Sequence, residues 1–169
     1  MKVASTKDAQ IVALLGRITF TETFEECFSD RQDLLEYFDR TFSVSKIEKS
    51  IDNQNNFFWI AYVDDLPVGY AKLKLDSQTK FVSSQRICQL QKIYVLKDYL
   101  SMKVGLLLQK TVLKKAKELD FEVIWLSVLN SNERAINFYV NNEFVDVGAH
   151  DFQIGKEQFD FTVMMKNIY

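Results

Sequence analysis

The sequence predicts an α/β domain on one mixed sheet, with roughly seven strands and four helices. Three observations carry that reading. Helical periodicity fills the first third of the chain and gives way to two-residue alternation from Asn56. A strand–helix–strand pattern over 86–128 requires a right-handed parallel unit. Two alternating runs, Phe144 to His150 and Phe159 to Lys166, flank a Q-I-G-K-E-Q turn. A chain of 169 residues is long enough for one proper core and short for two, so 1–169 reads as a single domain.

Taken in order, Lys2 to Ala4 is a short strand, and Thr6 or Asp8 caps a helix. That helix carries Ile11, Leu14, Leu15 and Ile18 on one face and continues through Phe20, Phe24 and Phe28, four apart. Ser29-Asp30 breaks the pattern. A second helix runs from Asp30 to Phe42, and Ser43 or Ser45 caps a third helical piece, with Glu48 placed for a capping box with Ser45. F-F-W-I-A-Y-V and V-G-Y-A-K-L-K-L form a hairpin whose D-D-L-P loop is slightly long. Arg86 to Val95 is a strand, and 104–119 is amphipathic, with Val104, Leu107, Leu108, Thr111, Val112, Ala116 and Leu119 on its apolar side and Lys110, Lys114, Lys117 and Glu118 facing out. E-V-I-W-L-S-V, nearly all apolar, fits a central strand covered on both faces.

Composition narrows function. A net charge of −2 without a basic tail argues against nucleic acid as the main ligand. Cys27 and Cys88 lie far apart, and a single histidine nearly excludes structural zinc. There is no membrane-spanning stretch and no signal-peptide pattern, so a cytoplasmic protein is expected. The 14 Phe, 7 Tyr and 2 Trp must fill core or interface, or line a pocket, and leave room for a homodimer.

Two segments carry chemistry. In K-D-Y-L-S-M-K-V-G-L-L a strand ends at Val95 and a helix begins near Lys103 or Val104. The first N–H groups of that helix have no partners within it, and its dipole is positive there, so a pyrophosphate can satisfy them. Gly105 either lets phosphate approach or merely eases helix–sheet packing, and Lys103 adds a cation. In N-S-N-E-R-A-I-N-F-Y, Asn132 caps a short helix through Ala135, and Tyr139 lies two turns on along the same side. Its phenol is either a proton donor or a core ring.

These motifs resemble the GNAT (Gcn5-related) N-acetyltransferase superfamily. Its pyrophosphate loop reads Gln or Arg, two free positions, Gly, one free position, then Gly or Ala. Here Leu100, Lys103 and Gly105 take the three marked places. The following motif, Asn-x-x-Ala-x-x-Phe-Tyr-x-x-x-Gly-Phe, appears as Asn132, Ala135, Phe138, Tyr139 and Phe144, with Glu143 in the glycine position. The resemblance implies the GNAT fold, acetyl-CoA as donor with CoA as product, and direct transfer to an amine with Tyr139 as general acid. It implies a cofactor surface of Ile93, Tyr94, Val95, Leu100, Ser101, Met102, Lys103, Val104, Gly105, Leu106, Asn132, Ala135 and Phe138. The arms of the strand–helix–strand unit should splay apart at the loop end.

T-F-x-E-T-F and I-Y-V-x-K-x-Y look like the PaiA-type bacterial acetyltransferases, some of which act on polyamines. The implied partner is a small-molecule amine. Phe24, Phe28 and Tyr37, rimmed by Glu22, Glu25, Glu26 and Glu36, are expected to receive it, with Gln89 and Gln91 on the strand; the alternative is that these rings only pack helix on helix. Relatives often carry a glutamate base where Gln89 stands, and glutamine cannot take up a proton. Proton removal then falls to water or to Glu22, Glu25 or Glu26. The competing functional readings are a weakly catalytic GNAT-fold protein that binds acyl-CoA, an enzyme acting on protein N-termini, or a domain with no acyl-CoA site. His150 reads as an ordinary surface or core residue.

Overall fold

The computed structural model describes residues 1–169. Seven strands form one sheet in the order β1-β2-β3-β4-β5-β7-β6. They are β1 (Lys2–Val3), β2 (Asn56–Val63), β3 (Leu66–Lys74), β4 (Ile87–Val95), β5 (Val123–Leu129), β6 (Val145–Ile154) and β7 (Glu157–Asn167). Only β4 and β5 run parallel, as the crossover demands. Five α-helices, rather than four, cover the sheet: α1 (Ala9–Phe24), α2 (Arg31–Thr41), α3 (Val44–Asp52), α4 (Val104–Glu118) and α5 (Glu133–Asn141).

Three local expectations are corrected. α1 stops at Phe24, a single 3₁₀ turn follows, and Phe28 is extended rather than helical. α3 begins after Ser43, whose carbonyl accepts the Ile47 N–H at 3.0 Å; Ser45 is already inside the first turn, so no box forms with Glu48. The β2–β3 loop is tight, not long. Asp64 and Asp65 both take positive φ (47° and 65°), which suits the right-handed twist of a two-residue hairpin.

The core lies on both faces of the sheet. Under α4 and α5, Cys88, Leu90, Leu108, Val112, Ile124, Leu126 and Met164 are buried. Under α1–α3 the filling is aromatic: the Phe20 ring meets Phe24 at 4.4 Å, Tyr37 at 4.7 Å, and Phe38 and Phe42 at 5.9 Å. Gly16 makes room for this, because a Cβ there would run into the Phe42 ring.

The parallel pair ends early. β4 and β5 are registered only at Ile87–Val123, Cys88–Ile124 and Gln89–Trp125, after which the strands diverge as expected. At that point the β3–β4 register shifts from Leu73–Leu90 to Lys72–Lys92, so Gln91 is the extra residue of a bulge. A bulge bends its strand and sharpens its twist, which turns β4 away from β5. The foot of the wedge is clasped: Arg86 pairs with Asp120 and, at 2.6 Å, with Glu122, whose N–H bonds the Arg86 carbonyl at 2.8 Å.

Helix ends on either side of the opening share an unusual backbone. α5 closes in a Schellman motif, with the Phe144 N–H on the Tyr139 carbonyl and the Glu143 N–H on that of Val140, both at 3.0 Å. Glu143 is therefore left-handed (φ 66°), and so is Lys103 (φ 58°) just before α4. Both positions are those where the resembling family carries glycine, the residue for which this backbone conformation costs least. An L-residue in this region costs about 1–2 kcal/mol, partly offset by the unfolded-state entropy that glycine adds. Lys103→Gly is expected to raise stability by about 0.5 kcal/mol, and Lys103→Val to lower it by about 1 kcal/mol, in urea denaturation. Lower stability of the glycine variant would contradict the left-handed assignment.

Candidate active site

The wedge between β4 and β5 opens into a cleft of about 830 Å³. Of the residues singled out in the sequence, Phe24, Gln91, Ile93, Tyr94, Val95, Leu100, Ser101, Lys103, Gly105, Leu106, Asn132, Ala135, Phe138 and Tyr139 line it. Three chain segments far apart in sequence thus meet across one gap.

Its β4 wall is a free strand edge. The Leu96 N–H bonds the Val68 carbonyl of the β3 segment at 2.9 Å. Hydrogen-bonding groups alternate in direction along a strand, so those of Ile93 and Val95 face the other edge, where β5 no longer pairs. Above them, residues Lys97–Met102 form a 3₁₀ segment tied to α1 by the Glu22 carboxylate, which accepts the Lys97 N–H at 3.0 Å. The first bond of α4 runs from the Leu107 N–H to the Lys103 carbonyl at 3.1 Å. The N–H groups of Val104, Gly105 and Leu106 precede that ladder and point out of the helix end. Gly105 separates the two explanations offered for it. A Cβ there would meet only Val95, at 3.9 Å, which is ordinary contact. Helix–sheet packing does not need this glycine; the space it leaves belongs to the cleft, and a phosphate-bearing ligand fits a cradle of that kind.

The opposite wall is α5. Asn132 caps it, accepting the Ala135 N–H on Oδ1 at 3.1 Å. Tyr139 is buried at 7% exposure, with Phe138 at 5.3 Å and Phe144 at 5.5 Å edge-on to its ring. The Schellman contact therefore fixes the ring that the helix presents. Burial pushes the phenol pKa well above the usual tyrosine range, so the group holds its proton across the working pH range. Tyr139 is both a core ring and a cleft residue.

Other expected residues lie outside the cleft lining. The Met102 side chain is exposed and that of Val104 is buried, so Val104 offers the cleft only its backbone N–H. Gln89 sits at the closed foot, where its carbonyl accepts the Ser77 hydroxyl at 3.1 Å. Phe28 packs on Phe159 at 5.4 Å, and Tyr37 on Phe20 and Phe42. Glu25 and Glu26 are exposed on the turn after α1, and Glu36 accepts the Gln32 amide at 3.2 Å. Helical spacing of phenylalanines meant packing here; only Phe24 and Glu22 from that group reach the cleft.

Three cleft-side features escaped the sequence reading. Ser127 lines the gap and its hydroxyl lies 2.8 Å from His150 Nε2, while His150 Nδ1 is 3.2 Å from the Asp151 carbonyl. Phe161 lines the cleft and stacks on the His150 ring at 5.4 Å. Lys92 lines the cleft too, with its Nζ 5.1 Å from the centre of the Phe42 ring and 5.8 Å from that of Tyr94. Burial lowers the Lys92 pKa to about 8, with no carboxylate to oppose it. Across the strand pair, Lys72 is lowered to about 8 by burial and by Lys92, Lys74 and Lys46. Alternation alone would have misplaced Lys92, because the bulge at Gln91 resets which side chains share a face.

A cation with a depressed pKa costs stability when protonated. The folded protein holds the Lys92 proton less tightly than the unfolded chain, whose value is the ordinary 10.5. The penalty is complete below pH 8, shrinks between 8 and 10.5, and is gone above that range. Lys92→Met keeps the apolar stem, so it is expected to stabilise the fold by about 2 kcal/mol at pH 7 and progressively less toward pH 10. Urea midpoints at the two pH values check this, and an equal gain at both would contradict it.

Comparison with known proteins agrees with this geometry. Residues 18–144 match the model of the acetyltransferase (GNAT) family. An uncharacterized N-acetyltransferase from the pepI 3′ region of Lactobacillus delbrueckii subsp. lactis is 28% identical over 158 residues, covering 93% of this chain and 91% of that protein. The PaiA N-acetyltransferase of Thermoplasma acidophilum, solved in complex with coenzyme A, superposes with a TM-score of 0.76 at 20% identity, covering 99% of each chain. A GNAT-family acetyltransferase from Streptococcus pneumoniae gives 0.72 at 23% identity over 99% of this chain and 98% of that one. No helix here is long and apolar enough to cross a membrane. The chain belongs to the GNAT acetyltransferase family and is an N-acetyltransferase that uses acetyl-CoA.

Proposed function

We propose that the enzyme acetylates the primary amine of a small molecule by direct attack, with Tyr139 as the general acid. The observation that carries this reading is the single cleft bringing together a free strand edge, an open helix N-terminus and a buried phenol. When bound, acetyl-CoA supplies a thioester activated toward amines. The N–H groups of Val104, Gly105 and Leu106, with Lys103 and Arg134 on the same cleft, hold its pyrophosphate. The N–H groups of Ile93 and Val95 align the pantetheine arm and polarise the acetyl carbonyl. Tyr139, kept protonated by burial, donates to the departing sulfur.

No protein nucleophile intervenes in this scheme. The Cys88 thiol is buried at the foot, away from the opening, and burial pushes its pKa up to about 12. The proton shed by the amine has a hydrogen-bonded exit. With Nδ1–H of His150 donating to the Asp151 carbonyl, Nε2 accepts the Ser127 hydroxyl, and the relay leads from the cleft to half-exposed His150. Gln89 takes no part in this route. A polyamine acceptor, implied by the PaiA resemblance, is supported by the fold alone: among the four proposed glutamates only Glu22 lines the cleft, and it is engaged by Lys97.

Two substitutions test the scheme. Tyr139→Phe keeps the ring, so acetyl-CoA affinity should barely change while single-turnover acetyl transfer slows by about tenfold to a thousandfold. Unchanged transfer would demote Tyr139 to a packing residue. Gly105→Val is expected to fold and to raise the Michaelis constant for acetyl-CoA by about tenfold or more, worth about 1.4 kcal/mol. An unchanged constant would remove the α4 end from the binding site.

A further inference from the structure

We propose that the acceptor carries an anionic group beside its amine, in the simplest case the carboxylate of an amino acid, and that Lys92 is the anchor for it. This deepens the acetyl-transfer reading and rests on it. The observation is an unpartnered cation facing a cleft. Lys92 Nζ has no carboxylate partner, and the faces of Phe42 and Tyr94 lie beside it. The other basic groups on the cleft, Lys97, Lys103 and Arg134, belong to the phosphate end.

The surroundings sharpen the argument. Cross-strand Lys72, itself bonded to Ser50 Oγ at 2.9 Å, and beyond it Lys74 and Lys46 add positive potential with no opposing acid. Glu22, the one carboxylate on the cleft, accepts the Lys97 N–H through Oε2 at 3.0 Å and makes no ion pair with Lys92. A second ammonium entering here, as a polyamine would bring, meets like charge. A carboxylate instead completes charge-assisted hydrogen bonds in a site partly shielded from water, where such bonds are strong.

Topology gives the acceptor its side of the sheet. Phe42, Tyr94 and Phe161 belong to the core beneath α1–α3, whereas Tyr139 belongs to the core beneath α4 and α5. The amine-bearing molecule therefore approaches through the gap from the face opposite the proton donor. Ser127 and Phe161 stand on the way in.

The test uses matched pairs that differ only in the carboxylate beside the amine, phenylalanine with phenethylamine and glutamate with 4-aminobutyrate, together with spermidine. Release of CoA gives kcat/KM, and calorimetry on the protein–CoA complex gives acceptor affinity independently of turnover. Wild type is expected to favour the more carboxylated member of a pair by about tenfold or more, or about 1.4 kcal/mol. That ratio should collapse toward one in Lys92→Met and survive in Lys92→Arg, which keeps the charge. If no amine releases CoA, the acetyl-transfer reading fails, while selective binding of the carboxylated member, lost in Lys92→Met, still supports the anchor. Equal binding within each pair, or a preference for spermidine, overturns it. Loss of transfer to every amine in both variants, with binding intact, also overturns it, because Lys92 would then be a base.

Discussion

The site depends on the place where two parallel strands stop pairing. A sheet satisfies its backbone by continuing, and β4 and β5 end that continuity after Gln89 and Trp125. Beyond that line each exposed edge holds donors and acceptors that water or a ligand must meet. The bulge at Gln91 starts the divergence, α4 bridges it above, and α5 fills the far side. An amide-rich arm inserted there is a missing strand in chemical terms, which is why the opening favours an extended molecule over a compact one.

Energetically the two faces differ. Beneath α4 and α5 the core is mixed, with Leu108, Val112 and Ile124 fully buried beside rings such as Trp59 and Phe144. Beneath α1–α3 it is aromatic, and two lysines with depressed pKa lie among the rings. Side chains kept in a state that opposes folding belong to sites where chemistry outweighs stability. The Lys72–Lys92 pair fits that description on the face where an acceptor would enter.

Much of the fold was legible because its signals were local. The change from helical to alternating pattern at Asn56, the amphipathic 104–118 helix and the Asn132 cap needed only neighbouring residues. The cleft's donor side was legible for the same reason. The acceptor side was not, because Phe28 and Tyr37 share helical spacing with residues that simply pack, and sequence gives no hint of which ring meets a partner helix. Lys92 and the Ser127–His150 contact depend on a bulge and on strands β5 and β6 brought together through β7, which no short pattern encodes. The glycine positions carried a signal that residue type alone hides: Lys103 and Glu143 stand where the family's motif has glycine, and both take the left-handed backbone.

The narrow join between the two halves of the sheet has a mechanical consequence. Three registered residue pairs and the Arg86 clasp join β4 to β5 within the sheet, so the line they form is a crease between its two halves. Bending about a crease moves distant points more than near ones. A slight rotation at the foot is magnified at the mouth, where Lys103 and Asn132 face each other over the cleft. The same wedge that exposes the strand edges is thus a lever, with its fulcrum at an ion-pair cluster far from the chemistry.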